Sequence, residues 1–248
     1  MGIISLSMNY ADYTFKDKNI LKRYLQQKRL DVAIKSSFIN KETKQIIDVG
    51  AGNGELCKRI HKLHPKLDII CYEPNQSMLS QAKENLEGTK IKLENNINNI
   101  GEASVDIVFC LEVFEHLPMK ETKKLIENIK KITKSDGKIV IGVPVELGIP
   151  ALYKGIFRRS RRKGTFDTKL ENIGRSVFYK RLEEERPATK LNEEMSYYHY
   201  HMGFDYRLLR KELEKNFKLF KIKTSPFSIF GSLLNPEINY ILNHKGND

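Results

Sequence analysis

The stretch Ile46-Ile47-Asp48-Val49-Gly50-Ala51-Gly52-Asn53-Gly54 constrains the fold more than any other part of the chain. A short apolar run leads straight into a turn with glycine at every second position, and Glu55 to Leu63 continue with a helical pattern. About twenty residues past the turn, a second apolar run, Asp68-Ile69-Ile70-Cys71-Tyr72, ends on an acid, Glu73. Strand, glycine turn, helix, strand and acid form the order of a parallel α/β unit. Such a unit holds a ligand across the carboxyl ends of its first two strands, with the acid on a ribose.

The glycine spacing narrows the ligand. A dinucleotide turn reads G-x-G-x-x-G, with a pyrophosphate at the helix N-terminus. Here the order is G-x-G-x-G, Asp48 precedes it, and Glu55 stands where the dinucleotide pattern wants its last glycine. A carboxylate repels a pyrophosphate, whereas negative charge favours a ligand that carries a sulfonium and an α-amino group. Asp-x-Gly-x-Gly-x-Gly with an acid at the second strand resembles the S-adenosylmethionine (SAM) site of the class I methyltransferases.

The resemblance extends over roughly residues 40 to 145. Ile91-Lys92-Leu93-Glu94-Asn95-Asn96 is similar to the third strand and its turn, where the family sets an Asp or Asn against the adenine amino group. Asn96 is the best match and Asn95 the next. Val105-Asp106-Ile107-Val108-Phe109-Cys110 followed by Leu111-Glu112-Val113-Phe114-Glu115-His116-Leu117-Pro118 resembles the fourth strand and the residues that line the methionine end. Gly137 to Pro144 resembles the fifth strand. The resemblance implies an α/β, Rossmann-like fold: a seven-stranded, mostly parallel sheet with helices on both faces and the last strand antiparallel. It implies SAM as cofactor, held by Asp48, Gly50, Ala51, Gly52, Glu73, Pro74, Asn95, Asn96, Leu111 and Glu112.

Periodicity places strands at 46–50, 68–73, 90–94, 105–110 and 138–143, with helices at 54–63, 76–86 and 119–133 and an Asp136-Gly137 turn before the fifth strand. A helix from Phe204 to Phe217 and strands near Leu219–Thr224 and Ile238–Asn243 complete a single domain. Residues 1–45 form an N-terminal helical cap, its helix running from Lys18 to Phe38. Residues 145–202 far exceed the median connection of about five residues. Because they follow strand five, they are expected to hang over the methyl group as a substrate lid.

Hydrophobic content of 40% and charged content of 30% fit a globular chain. No run approaches the ~18 apolar residues of a membrane span. The first residues lack the basic and cleavage features of a signal peptide and the myristoylation pattern. Cys57, Cys71 and Cys110 have no metal-binding spacing, which points to reduced buried thiols and a cytoplasmic chain. The net charge of +12 favours an acidic partner. Lys154 to Lys163 carries six positive charges and no acid, with Leu152, Tyr153, Ile156 and Phe157 alongside. This run suits an anionic membrane surface, with a peripheral location, or the phosphates of RNA or a nucleotide-sugar; a solvated loop is the plain alternative.

Methyl transfer needs alignment of donor and acceptor, and a base only where the acceptor must lose a proton. The catalytic candidates are Glu115, His116, His199 and His201, the last two alternating along an extended segment and so sharing a face. A packing role for each histidine is the bland counterpart. The preferred reading assigns no metal and expects O-methylation of a small or saccharide-like acceptor, linked to a lipid or nucleotide. An alternative follows from Glu-x-x-Glu-His, which resembles the small-RNA 2′-O-methyltransferases. In it Glu112, Glu115 and His116, with His199 or His201, hold a divalent ion for RNA 2′-O-methylation. A non-catalytic scaffold that keeps the fold is the third possibility. The absence of an Asn/Asp-Pro-Pro-Tyr motif argues against methylation of adenine or glutamine amide nitrogen, and no RNA-binding module is recognisable, so nucleic acid is not the favoured partner.

Overall fold

A computed structural model describes residues 20–180, 182–190 and 196–245. The expectations for residues 1–19, 181 and 191–195 lie outside the described residues.

The sheet is built from β1 (Gln45–Val49), β2 (Asp68–Tyr72), β3 (Lys92–Glu94), β4 (Val105–Leu111), β5 (Thr133–Pro144), β8 (Phe217–Ser225) and β9 (Glu237–His244). Its order is β3-β2-β1-β4-β5-β9-β8. The first five strands pair in parallel, while β9 is antiparallel to both β5 and β8. The expected seven strands and antiparallel last strand are present.

Strands this apolar are stable only when both faces are covered. Alternation sends neighbours to opposite layers. Ile47, Ile70 and Val108 join Ile126, Ile129, Leu209 and Leu213 under α4 (Met119–Ile132) and α7 (Tyr206–Asn216). Ile46, Ile69 and Phe109 join Leu30, Ile34, Leu56 and Ile60 under α1 (Ile20–Ser36), α2 (Glu55–Leu63) and α3 (Gln76–Asn85). With hydrocarbon filling both layers, polar side chains that must be near the core collect at the strand ends.

Asp136 and Gly137 fall inside β5 rather than before it. The pairing jumps from Val105↔Thr133 to Ile107↔Lys138, so the expected turn is a bulge in a longer strand. A Cβ on Gly137 would lie 2.6 Å from Thr133 Cγ2 and 2.9 Å from the Lys134 carbonyl, which explains the glycine there.

Between β5 and α7 the chain forms α5 (Gly148–Arg161), α6 (Leu170–Val177) and a hairpin of β6 (Ala188–Lys190) with β7 (Ser196–Tyr198). Ile173, Leu182 and Met202 give this insertion a small core of its own. Glu146, wholly buried, anchors it. Lys154 Nζ lies 3.1 Å from Oε1, and the Arg158 fork meets both oxygens at 2.7 and 2.8 Å. Lys154 also donates to the carbonyls of Val145 (3.1 Å) and Pro236 (2.9 Å). Burial would raise the Glu146 carboxyl, but Arg158 and Lys154 outweigh it and hold it far below the usual carboxylate range.

Removing one member of such a group leaves its partners charged and buried. Glu146→Ala is expected to cost about 3–5 kcal/mol in urea unfolding. A loss below about 1 kcal/mol would show that α5 is held by something else.

Candidate active site

The glycine turn is dictated by its backbone. Gly50, Gly52 and Gly54 take φ of +75°, +56° and +76°, a region closed to most side chains. Gly50 and Ala51 donate to the Tyr72 carbonyl at 2.9 and 3.0 Å, which swings the turn over the end of β2. A Cβ at Gly50 would meet Val113 Cγ2 at 2.5 Å. Glu73 closes the arrangement: its oxygens accept from Gly52 N (2.8 Å) and Asn75 N (2.9 Å), and its own N–H donates to the Glu94 carbonyl at 3.0 Å. Burial pushes the Glu73 carboxyl up, and the two N–H groups pull it back part of the way. Beneath the turn lies Asp48, 4% exposed, with Cys57 Sγ 3.8 Å from its carboxylate. Burial raises Asp48 to about 7, with Cys57 opposing. The three cysteines are buried and free, as expected.

Next along the edge, Asn95 and Asn96 are exposed beyond β3, each donating its N–H to Glu94 Oε1 at 3.0 and 3.1 Å. Asn96 Oδ1 caps the following turn by accepting from Asn98 N at 3.0 Å. Pro74 is exposed beside Glu73, and Leu111 closes β4. Glu112 follows with φ +57°, its N–H on the Gly142 carbonyl (2.9 Å) and its carboxylate 2.9 Å from Arg29 Nη1 of α1. Burial acts to raise Glu112, but Arg29 and the other cations outweigh it and leave the carboxyl below its ordinary value. Arg29 also reaches Glu237 at 4.0 Å.

The catalytic candidates divide. His116 Nδ1 lies 2.7 Å from the Tyr198 carbonyl, which assigns the proton to Nδ1 and leaves Nε2 as an acceptor. The ring stacks on Tyr197 at 4.6 Å. His201 Nε2 approaches His116 Nε2 at 3.2 Å, and Glu115 Oε1 is 3.9 Å from both. These three ligand atoms lie within 4.8 Å of one another. Glu115 is wholly buried, and neither oxygen has a hydrogen-bond partner in another described residue. Burial, then the neighbouring Glu112, push its carboxyl well up. Burial lowers His116, and lowers His201 to about 4, so both imidazoles are neutral at pH 7. His199 stands apart from this group, exposed, with Nε2 on Thr189 Oγ1 at 2.7 Å.

Arg186 fastens the insertion to this cluster. It donates to the carbonyls of Glu115 and Tyr200 and lies over the Tyr198 ring at 4.2 Å. Arg29, Glu146, Arg186 and Glu237 had no signal in the sequence, because their partners are remote along the chain. A groove of about 910 Å³ between α7 and β8–β9 shares no residue with the glycine turn, Glu73 or the Glu115 cluster.

Sheet order, glycine turn and acid together define a class I methyltransferase fold. Residues 47–139 match the family model described as a methyltransferase domain. That match covers 93 of the 248 residues, and the fold around it is that of the class I S-adenosylmethionine-dependent methyltransferases. Trans-aconitate 2-methyltransferase of Afipia carboxidovorans is 27% identical over 112 residues, 44% of this chain and 42% of that protein. The match thus spans less than half of that relative's length. The PH0226 protein of Pyrococcus horikoshii superposes with TM-score 0.65 at 10% identity, covering 95% of this chain and 96% of that one. The N-methyltransferase NodS of Bradyrhizobium japonicum, solved in complex with S-adenosyl-L-homocysteine, gives 0.56 at 11% identity over 93% and 90%. Both likenesses are of fold alone.

The raised Asp48 has a consequence for stability. An unfolded Asp titrates at 3.8 and the folded one at about 7, so the native chain binds more protons between those values. Stability from this group therefore falls as pH rises from about 4 to 7, by a few kcal/mol at most. Asp48→Asn should flatten part of that slope in urea midpoints measured against pH. An unchanged slope would assign it to other carboxyls.

Proposed function

We propose that the chain uses SAM to O-methylate a small or saccharide-like acceptor carried on a lipid or a nucleotide. The cofactor half is supported by Glu73, a buried carboxylate with each oxygen fixed by one N–H and a lone pair left to accept from a ribose hydroxyl. Gly52 suits the same ligand: its missing Cβ would meet only Met78 Cε, at 3.5 Å, so the turn leaves room for close approach. In this reading Asp48, with Gly50, Ala51 and Pro74 shaping the turn, supplies negative charge toward the α-amino end. Asn96 and Asn95 face the adenine, and Leu111 and Glu112 the methionine end. Bound SAM supplies a methyl group already activated on its sulfonium.

The acceptor half rests on the Glu115–His116–His201 cluster. With Nδ1–H spent on Tyr198, His116 Nε2 is fixed as a proton acceptor. A hydroxyl that takes the place of His201 there gives up its proton at Nε2. Glu115 Oε1 lies 3.9 Å from that nitrogen. The insertion at 145–202 acts as the lid that delivers His201, with His199 at its rim, and α1 acts as the cap through Arg29.

One observation favours a second reading. Two neutral imidazoles and a buried carboxylate without a partner converge within 4.8 Å, a donor set that suits a divalent cation. Glu115, His116 and His201 would hold the ion beside Glu112, and it would supply Lewis acidity for metal-assisted 2′-O-methylation of RNA.

Calorimetric titration of SAM tests the cofactor site: Glu73→Ala is expected to weaken binding about 100-fold with the fold retained by circular dichroism. Undiminished affinity would remove this site from the reading. His116→Ala should lower turnover by about 10²–10⁴ while SAM affinity stays unchanged. Thermal unfolding with Mn²⁺ separates the two readings. A rise in wild type that is lost in His201→Ala, with turnover on RNA abolished by a chelator, selects the metal reading. Chelator-resistant turnover on saccharide acceptors selects the first.

A further inference from the structure

Helix α5 is turned the unusual way round. Ile149, Leu152, Tyr153, Ile156 and Phe157 follow the spacing of a single helix face, the stripe that ordinarily meets a core. Here it meets water: Ile156 is 57% exposed and Phe157 49%. The face against the protein carries the charges instead, with Lys154 and Arg158 on Glu146 and Arg159 donating to the Thr168 carbonyl at 2.9 Å. Rotating the helix to hide its apolar stripe would strand Glu146 in the interior without its cations, a large penalty. The buried ion group therefore holds the apolar stripe outward.

A second apolar edge adjoins it. The short helix α8 (Gly231–Leu234) packs on α5, with Tyr153 OH 3.2 Å from the Leu234 carbonyl. Beside it Ile229 is 92% exposed, Phe230 52% and Leu233 59%. At the far end of α5, Arg161, Arg162 and Lys163 are exposed, and the Arg161 guanidinium lies 4.7 Å above the Phe157 ring. Of the six cations in this run, Lys154 and Arg158 are taken by Glu146, Arg159 by the Thr168 carbonyl and Arg162 by Asp167, so the outward charge is carried by Arg161 and Lys163. An apolar stripe ending in exposed cations complements a surface that offers hydrocarbon and negative charge together.

We infer that α5 and the α8 edge form a docking face for a bilayer with anionic headgroups, the helix lying in the headgroup plane. A bilayer supplies both complements without needing a shaped groove. Since α5 starts at Gly148, just past the carboxyl end of β5 at Pro144, docking sets the site mouth close to the headgroups. That consequence rests on the methyltransferase reading above; the docking does not.

Co-sedimentation of the full chain with vesicles tests it. The chain is expected to pellet with phosphatidylcholine–phosphatidylglycerol vesicles, to stay in solution with phosphatidylcholine alone, and to release at high salt. Ile156→Asp, and separately Arg161→Ala with Lys163→Ala, should each weaken binding about tenfold while thermal unfolding and SAM titration stay unchanged. Three results overturn the inference. Wild type fails to pellet with anionic vesicles, or Ile156→Asp binds as wild type does. Alternatively, lipid-free chain forms a concentration-dependent dimer that Ile156→Asp disperses, which assigns the face to a second copy. A chain that binds SAM yet ignores vesicles sinks the docking alone, and one that binds vesicles yet ignores SAM sinks only the cofactor reading.

Discussion

Hydrocarbon fills most of the two layers that cover the sheet, and acids gather at one of its edges. Asp48, Glu73, Glu112, Glu115, Glu146 and Glu237 all stand at or beside the ends of β1, β2, β4, β5 and β9. Desolvation presses on every one of them. Arg29, Lys154 and Arg158 relieve Glu112 and Glu146, and backbone N–H groups relieve Glu73. Asp48, Glu115 and Glu237 are pushed toward their neutral forms. A chain with net charge +12 thus carries six acids along one edge, held there by burial, backbone N–H groups and three cations.

Most of the sheet was legible because buried parallel strands are near-continuous apolar runs. Ile46-Ile47, Ile69-Ile70 and Ile107 to Cys110 each announce a strand, and each feeds both layers. The glycine turn was legible for a different reason: its positive φ values restrict residue type, so the backbone writes itself into the sequence. The insertion was not legible in this way. Its apolar stripe on α5 looks like a core face in one dimension, and only the position of Glu146 decides that it turns outward. The hairpin β6–β7 is three residues per strand, too short for a period to register.

The site divided along the same line. Glu73 and the glycines could be placed from local order. His199 and His201 could not be separated, since alternation gives them the same side of an extended segment. The structure parts them because β7 ends at Tyr198, before either histidine. His201 then turns to His116 while His199 pairs with Thr189. Ion pairs such as Arg29–Glu112 join residues far apart in the chain, and nothing in either neighbourhood signals the other.

The guanidinium of Arg186 bridges two carbonyls, one on the strand-four side at Glu115 and one in the insertion at Tyr200. It acts as a clasp. While it is fastened, the imidazole of His201 is held against a partner 85 positions away along the backbone. Unfastened, Glu115 and His116 on one side would part from His201 on the other. Whether these three side chains exist as one group thus depends on how the insertion is seated.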